Sequence, residues 1–104
     1  MEIVEEIYLI TRDFPDQEKF GLVSQMRRCA VSIPSNIAEG SARNGAKEFI
    51  NFLHIAQASL SELDTQLEIA LRLDYMKIEV HDDIDKRLSD EDKMLSGLIR
   101  SLKK

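Results

Sequence analysis

Between Phe49 and Leu71 apolar side chains return every three or four residues: Phe49, Leu53, Ala56, Leu60, Leu63, Leu67 and then Ala70 with Leu71. A helix advances about 100° per residue, so this spacing gathers them onto one face as a seam about four heptads long. A strand, with its period of two, would scatter the same residues over both faces. So long a seam must be covered along its length, and other helices are the natural cover. The pattern predicts a helix from about Gly45 to Asp74, with Asn44 as its N-cap. Ile55, Ala58, Ile69 and Leu73 form a second, thinner apolar line well away from the seam, where an isolated bundle would face water.

Three more helical segments follow from the same reasoning. The first spans about residues 2 to 13, carries Ile3, Ile7 and Ile10 on one side, and stops at Phe14-Pro15, because the residue before a proline is pushed out of the α region. Asp16 is placed to cap the second, expected from about Gln17 to Arg43, with Pro34 either kinking it or restarting it behind Ser32 as an N-cap. On that helix Leu22, Met26, Cys29, Ala30, Ile33 and Ile37 share a core face, and Val31, Pro34, Ala38 and Ala42 make another apolar line roughly opposite. Between them runs a polar stripe of Arg28, Ser32, Ser35, Glu39 and Arg43, and Gly40 through Gly45 mark the end. Tyr75 to Val80 reads as a connector. Asp82 or Asp83 would cap a fourth helix carrying Ile84, Leu88, Leu95, Leu98, Ile99 and Leu102, with Ser89-Asp90-Glu91-Asp92 as a second cap that would interrupt it. Four amphipathic helices on short connectors specify an all-α, antiparallel up-and-down four-helix bundle, one domain over residues 1–104. The extra apolar lines imply that bundles pack against one another.

Composition agrees with this class. Four Phe, two Tyr and no Trp leave Leu, Ile, Val, Ala and Met to build the interior. Cys29 is the only cysteine, which rules out an intramolecular disulfide, and the chain opens on Glu2, Glu5 and Glu6 without a basic-then-apolar leader, so a cytoplasmic location is expected. No apolar run approaches the roughly 18 to 20 residues that span a bilayer, so no membrane partner is expected. The net charge of −5 opposes a generally basic nucleic-acid binder, yet the charge is uneven. Lys19, Arg27, Arg28, Arg43 and Lys47 stand against Glu39 alone, whereas Glu79, Asp82, Asp83, Asp85, Asp90, Glu91 and Asp92 outnumber Lys86 and Arg87.

Catalytic chemistry finds little support. Cys29 follows two arginines that would activate a thiol, but it lies on the core face, where a cysteine acts as a small hydrophobe. His54 and His81 lie on different elements and neither has a second His or Cys within helical reach; the acids around His81 suit a helix start. No catalytic residue, metal ligand or cofactor is therefore assigned, and the chain is expected not to be an enzyme. Two groups remain as candidate sites. Arg28, Ser32, Ser35, Asn36, Glu39 and Arg43 would form a polar network at a subunit interface, with phosphate contact as the competing use of the arginines. Lys19, Arg27, Arg43 and Lys47 are candidate contacts to a nucleic-acid backbone, multiplied by repetition in an oligomer. The basic segment shows no aromatic interleaving, so readout by base stacking is not expected.

Residues 27 to 43, RRCAVSIPSNIAEGSAR, together with Lys47-Glu48-Phe49, Phe52 to Ala56, Ser59-Leu60, Glu62-Leu63, Thr65-Gln66-Leu67, Phe14-Pro15 and Met94 to Ile99, resemble the small bacterial four helix bundle proteins, also called 23S rRNA-intervening sequence proteins. That resemblance implies rings of bundles, typically homopentamers, encoded within insertions in large-subunit ribosomal RNA genes. It also implies similarity to the accessory variability determinant of diversity-generating retroelements, a partner of reverse transcriptase and nucleic acid whose role rests on a basic barrel, whereas this chain is acidic overall. Two departures stand out: a short stretch before Ile7, which implies a truncated first helix, and Ala58 where a glycine is common, which implies an altered helix contact. The expected function is a self-assembling bundle that binds RNA or a ribonucleoprotein by backbone and shape. The alternative is a protein-interaction scaffold or structural oligomer without nucleic acid.

Overall fold

In the computed structural model, which describes residues 2–104, four helices account for most of the chain. They are α1 (Glu2–Thr11), α2 (Leu22–Ser41), α3 (Ala46–Arg72) and α4 (Ile78–Leu102), with a 3-10 turn at Asp16–Glu18 and no strand among the described residues. α2 packs on α1 and on α3, and α4 closes the bundle against α3 and α1. The register is antiparallel at both long seams. Cys29 meets Glu62 and Ser32 meets Ser59 across α2 and α3, while Gln57 reaches Asp92 and Glu68 faces His81 across α3 and α4. The order of contacts places the α1–α2 side and the α3–α4 side on opposite sides of a molecule measuring 45 × 24 × 18 Å.

The interior is the one the apolar spacing requires. Leu53, Ala56, Leu60, Leu63, Leu67 and Ala70 bury the α3 seam, met by Met26, Cys29, Ala30 and Ile33 from α2, Ile84, Leu88, Leu95 and Ile99 from α4, and Ile7 from α1. Val23 and Gly40 are also buried on α2, although the spacing argument had not placed them in the core. α1 has ten residues against 20, 27 and 25 in its partners.

Helix boundaries depart from expectation wherever a side-chain cap was assigned. α1 ends at Thr11, whose hydroxyl donates to the Ile7 carbonyl at 2.7 Å. Asp16 does not cap α2, because the chain first makes the 3-10 turn; the Glu18 carboxylate accepts from the Leu22 N–H at 3.3 Å instead. That carboxylate also accepts from the Tyr75 hydroxyl at 2.8 Å, and the Phe14 and Tyr75 rings stand 5.4 Å apart, so one cluster seals this end of the bundle. α2 passes through Pro34 as one helix and Ser32 is not a cap. Packing on both sides outweighs the roughly 3 kcal/mol a mid-helix proline costs. Asn44 gives way to Gly45, whose φ of 107° only glycine adopts readily, as the residue before α3. α4 starts at Ile78, ahead of Asp82 and Asp83, and is not interrupted at Ser89 to Asp92.

Candidate interaction surfaces

The predicted polar stripe on α2 divides into inward and outward parts. Ser32 turns toward α3, its hydroxyl 2.8 Å from that of Ser59, and Asn36 donates through Nδ2 to the Ser32 carbonyl at 2.8 Å and to its hydroxyl at 2.9 Å. Within one chain these groups form a polar network that ties α2 to α3. One turn away the Cys29 thiol donates to Glu62 Oε2 at 2.8 Å. Burial and this carboxylate push the thiol up to about 11, which keeps it protonated and unreactive despite nearby Arg28. Ser35 and Arg28 are exposed, and Glu39 with Arg43 makes an exposed ion pair one turn apart, of a kind worth only about 0.3 to 0.5 kcal/mol.

The four cations proposed for nucleic acid do not converge. Lys19 and Arg27 lie near the start of α2, whereas Arg43 and Lys47 lie beyond its end, with roughly 20 Å of helix between the pairs at about 1.5 Å per residue. Arg27 is also committed within the chain. Its Nε donates to Thr11 Oγ1 at 3.0 Å, a terminal nitrogen donates to the Tyr8 carbonyl at 3.4 Å, and the guanidinium lies 4.5 Å from the centre of the Tyr8 ring. Arg43 stacks over Phe52 at 5.2 Å besides its pair with Glu39.

Aromatics do accompany the basic segment: Phe20 follows Lys19 directly in the sequence, contrary to the expectation of none, and only Tyr8 is brought in by the fold. Tyr8 arrives from α1, and Phe20, 90% exposed, carries Lys19 at 5.6 Å from its ring. Tyr8, Phe20, Val31, Lys19 and Arg28 line one open cleft between α1 and α2.

The opposite side is acidic. Asp64 of α3 and Asp85 of α4 face each other across the helix pair, with Asp92 further along the same cleft, where it accepts from Gln57 Nε2 at 3.2 Å. The hydrogen bond with Asp85, reinforced by desolvation and by the like charge of Asp85, raises Asp64 to about 6. Toward the start of α4, His81 approaches Glu68 at 3.6 Å and Asp82 at 3.1 Å, and Ile69 lines the rim. Among the described residues no three His, Cys, Asp or Glu side chains are grouped to hold a metal ion, and no helix is long and apolar enough to cross a membrane. Ile55, Ile69 and Leu73 of the second α3 line stand between 43% and 50% exposed. Ala58 is exposed too.

Sequence reasoning missed Ser59, Glu62 and Gln66, which form a polar line at helical spacing on the α2-facing flank of α3. That spacing was legible. The contribution of Tyr8 to the cleft was not, because it depends on how α1 lies on α2.

Fold and surfaces together define an all-helical protein of four helices whose polar and charged groups are arranged on open faces between helices. The chain belongs to the 23S rRNA-intervening sequence protein family, whose model matches residues 1–97. Its fold is similar to the crystal structure of a protein of unknown function from the S23 ribosomal protein family of Bacteroides thetaiotaomicron, with a TM-score of 0.80 and 28% identity over 94% of this chain and 88% of that one. No curated protein matches the chain.

Proposed function

We propose that the protein is a non-enzymatic, cytoplasmic helical module that works by assembling with copies of itself into a closed ring and presenting the assembled surface to a partner. The observation that carries this reading is the pair of apolar patches left uncovered on different sides of the bundle: Tyr8 of α1, Phe20 of the turn before α2 and Val31 of α2, and Ile55, Ile69 and Leu73 along α3 and its C-cap. A chain of this size has other ways to stay soluble, and rows of half-exposed apolar side chains suit contact with another protein surface. A pentameric ring is the arrangement the family resemblance favours.

A ribonucleoprotein or RNA partner is the second reading, favoured by the cleft that sets Lys19 and Arg28 beside the exposed Phe20. Light scattering of the purified protein, with and without a structured RNA at low and physiological salt, tests both. The scaffold reading expects a large oligomer indifferent to RNA. An oligomer that takes up RNA only at low salt would favour backbone contacts, and a monomer under all conditions would overturn self-assembly.

A further inference from the structure

We propose that the basic, aromatic cleft between α1 and α2 docks the acidic α3–α4 side of a second copy of this chain, in a head-to-tail contact. The proposal rests on the self-assembly reading and adds which two surfaces meet.

The two sides are opposite faces of one bundle, so they cannot satisfy each other within a chain. A two-fold dimer built on either side sets like against like: Lys19 and Arg28 would meet their own copies, or Asp64 and Asp85 would meet theirs. Like charges placed against each other at a contact are strongly unfavourable. A heterologous contact instead puts the cations of one copy against the carboxylates of the next.

The acidic side needs such a cation. Asp64 and Asp85 are held face to face between α3 and α4; Arg72, which lines the same side, pairs with Glu68 at 3.4 Å, and Arg87 turns toward Asp83 at 3.5 Å and Glu6 at 3.6 Å. The planar fork of Arg28 from a neighbouring copy suits two adjacent carboxylates better than any single point charge. Apolar contact supplies the rest. Phe20, exposed on one side, and Ile69, on the rim of the other, are the sort of anchor pair that sits at the centre of an interface. A side 45 Å long and 18 to 24 Å wide has room for the roughly 800 Å² per partner that a stable contact buries. Because the two patches differ, each added copy exposes a fresh patch, and the contact repeats until it closes into a ring or extends as a filament.

Charge reversal tests the pairing, with mass read by sedimentation at physiological salt and helicity checked by circular dichroism. Lys19→Glu with Arg28→Glu leaves both sides acidic, and Asp64→Lys with Asp85→Lys leaves both basic. Each variant alone is expected to fall from the wild-type mass to that of one chain. All four changes in one chain restore complementarity and the wild-type mass, and mixing the two single-side variants, which can only alternate, is expected to give assemblies heavier than one chain. If wild type assembles and the single-side variants keep its mass, or the fourfold variant fails to regain it, the pairing is wrong while self-assembly stands. A monomeric wild type removes both.

Discussion

A methyl group added at Gly40 would stand 2.7 Å from the Phe52 Cβ and 3.0 Å from the Phe49 ring, closer than carbon atoms tolerate. Phe52 Cβ is fixed to the α3 backbone, so relief requires the two longest-packed helices to separate. Gly40→Ala is therefore expected to destabilise the fold by about 1 to 3 kcal/mol, overriding the gain in helix propensity. Gly97, mid-way through α4, offers the opposite case: its nearest neighbour to an added methyl is the flexible Arg100 tip at 3.7 Å. Gly97→Ala should stabilise by about 0.5 to 1 kcal/mol. Urea denaturation of both variants distinguishes a glycine kept for close approach from one that is merely tolerated. The sequence reads Gly40 as part of a helix end and Gly97 as helix interior, whereas Gly40 lies buried inside α2 against α3, a contact that only the packing reveals.

The Cys29 thiol gives the residue scale a pH signature. Its folded pKa, about 11 against an ordinary value of 9.0, lies above the unfolded one, so the stability it contributes is complete below about pH 9 and lost as pH rises toward 11. Cys29→Ala lacks this loss. The gap in unfolding free energy between wild type and variant, followed from pH 8 to pH 11, is expected to narrow over that window. A gap independent of pH would show that neither burial nor Glu62 raises the thiol pKa in the folded protein.

Among elements, the pairing of α3 with α4 carries the least settled electrostatics. Asp64 faces Asp85 and His81 from α4, with Glu68 one turn away on α3. Its folded pKa of about 6 exceeds the ordinary 3.8, so the group favours the fold fully below about pH 4 and that contribution is lost as pH rises through 6. Asp64→Asn mimics the protonated form at every pH. The variant should be more stable than wild type above pH 6 and equal to it below pH 4, as read from denaturation midpoints across that range. α2 and α3, by contrast, are joined by the Ser32–Ser59 and Cys29–Glu62 hydrogen bonds, and this seam is the most extensive in the bundle. Helix ends were the least legible features at this scale. Asp16, Asn44, Asp82 and Asp83 all have cap chemistry, yet the turns that precede α2, α3 and α4 put Gly21, Gly45 and Lys77 at the boundaries.

At the scale of the whole molecule, exposed apolar lines separate folding from assembly. Ile55 and Ile69 lie outside the core, so Ile55→Glu with Ile69→Glu is expected to shift unfolding free energy by no more than about 0.5 kcal/mol per site. The same pair should reduce the mass in solution if these lines are subunit contacts. Calorimetry and light scattering on one sample give both readouts, and an unchanged mass would assign the α3 line to solvent or to a partner other than a second copy.

The helical class, the α3 seam and the core face of α2 were determined by sequence alone, since apolar spacing and the requirement to bury it depend only on the order of residues. The burial of Cys29 followed from the same spacing. Which way the polar stripe turns was decided by tertiary structure. Ser32 and Asn36 look like neighbours of Glu39 and Arg43 along one helix face, but α3 lies against one flank and draws Ser32 inward to Ser59 with Asn36 bonded behind it, leaving Glu39 and Arg43 as a half-exposed pair. The charged surfaces were decided in the same way. Electrostatics acts through space, and only packing could place Tyr8 on Arg27, set Asp64 against Asp85, and part Lys19 from Lys47 by the length of α2.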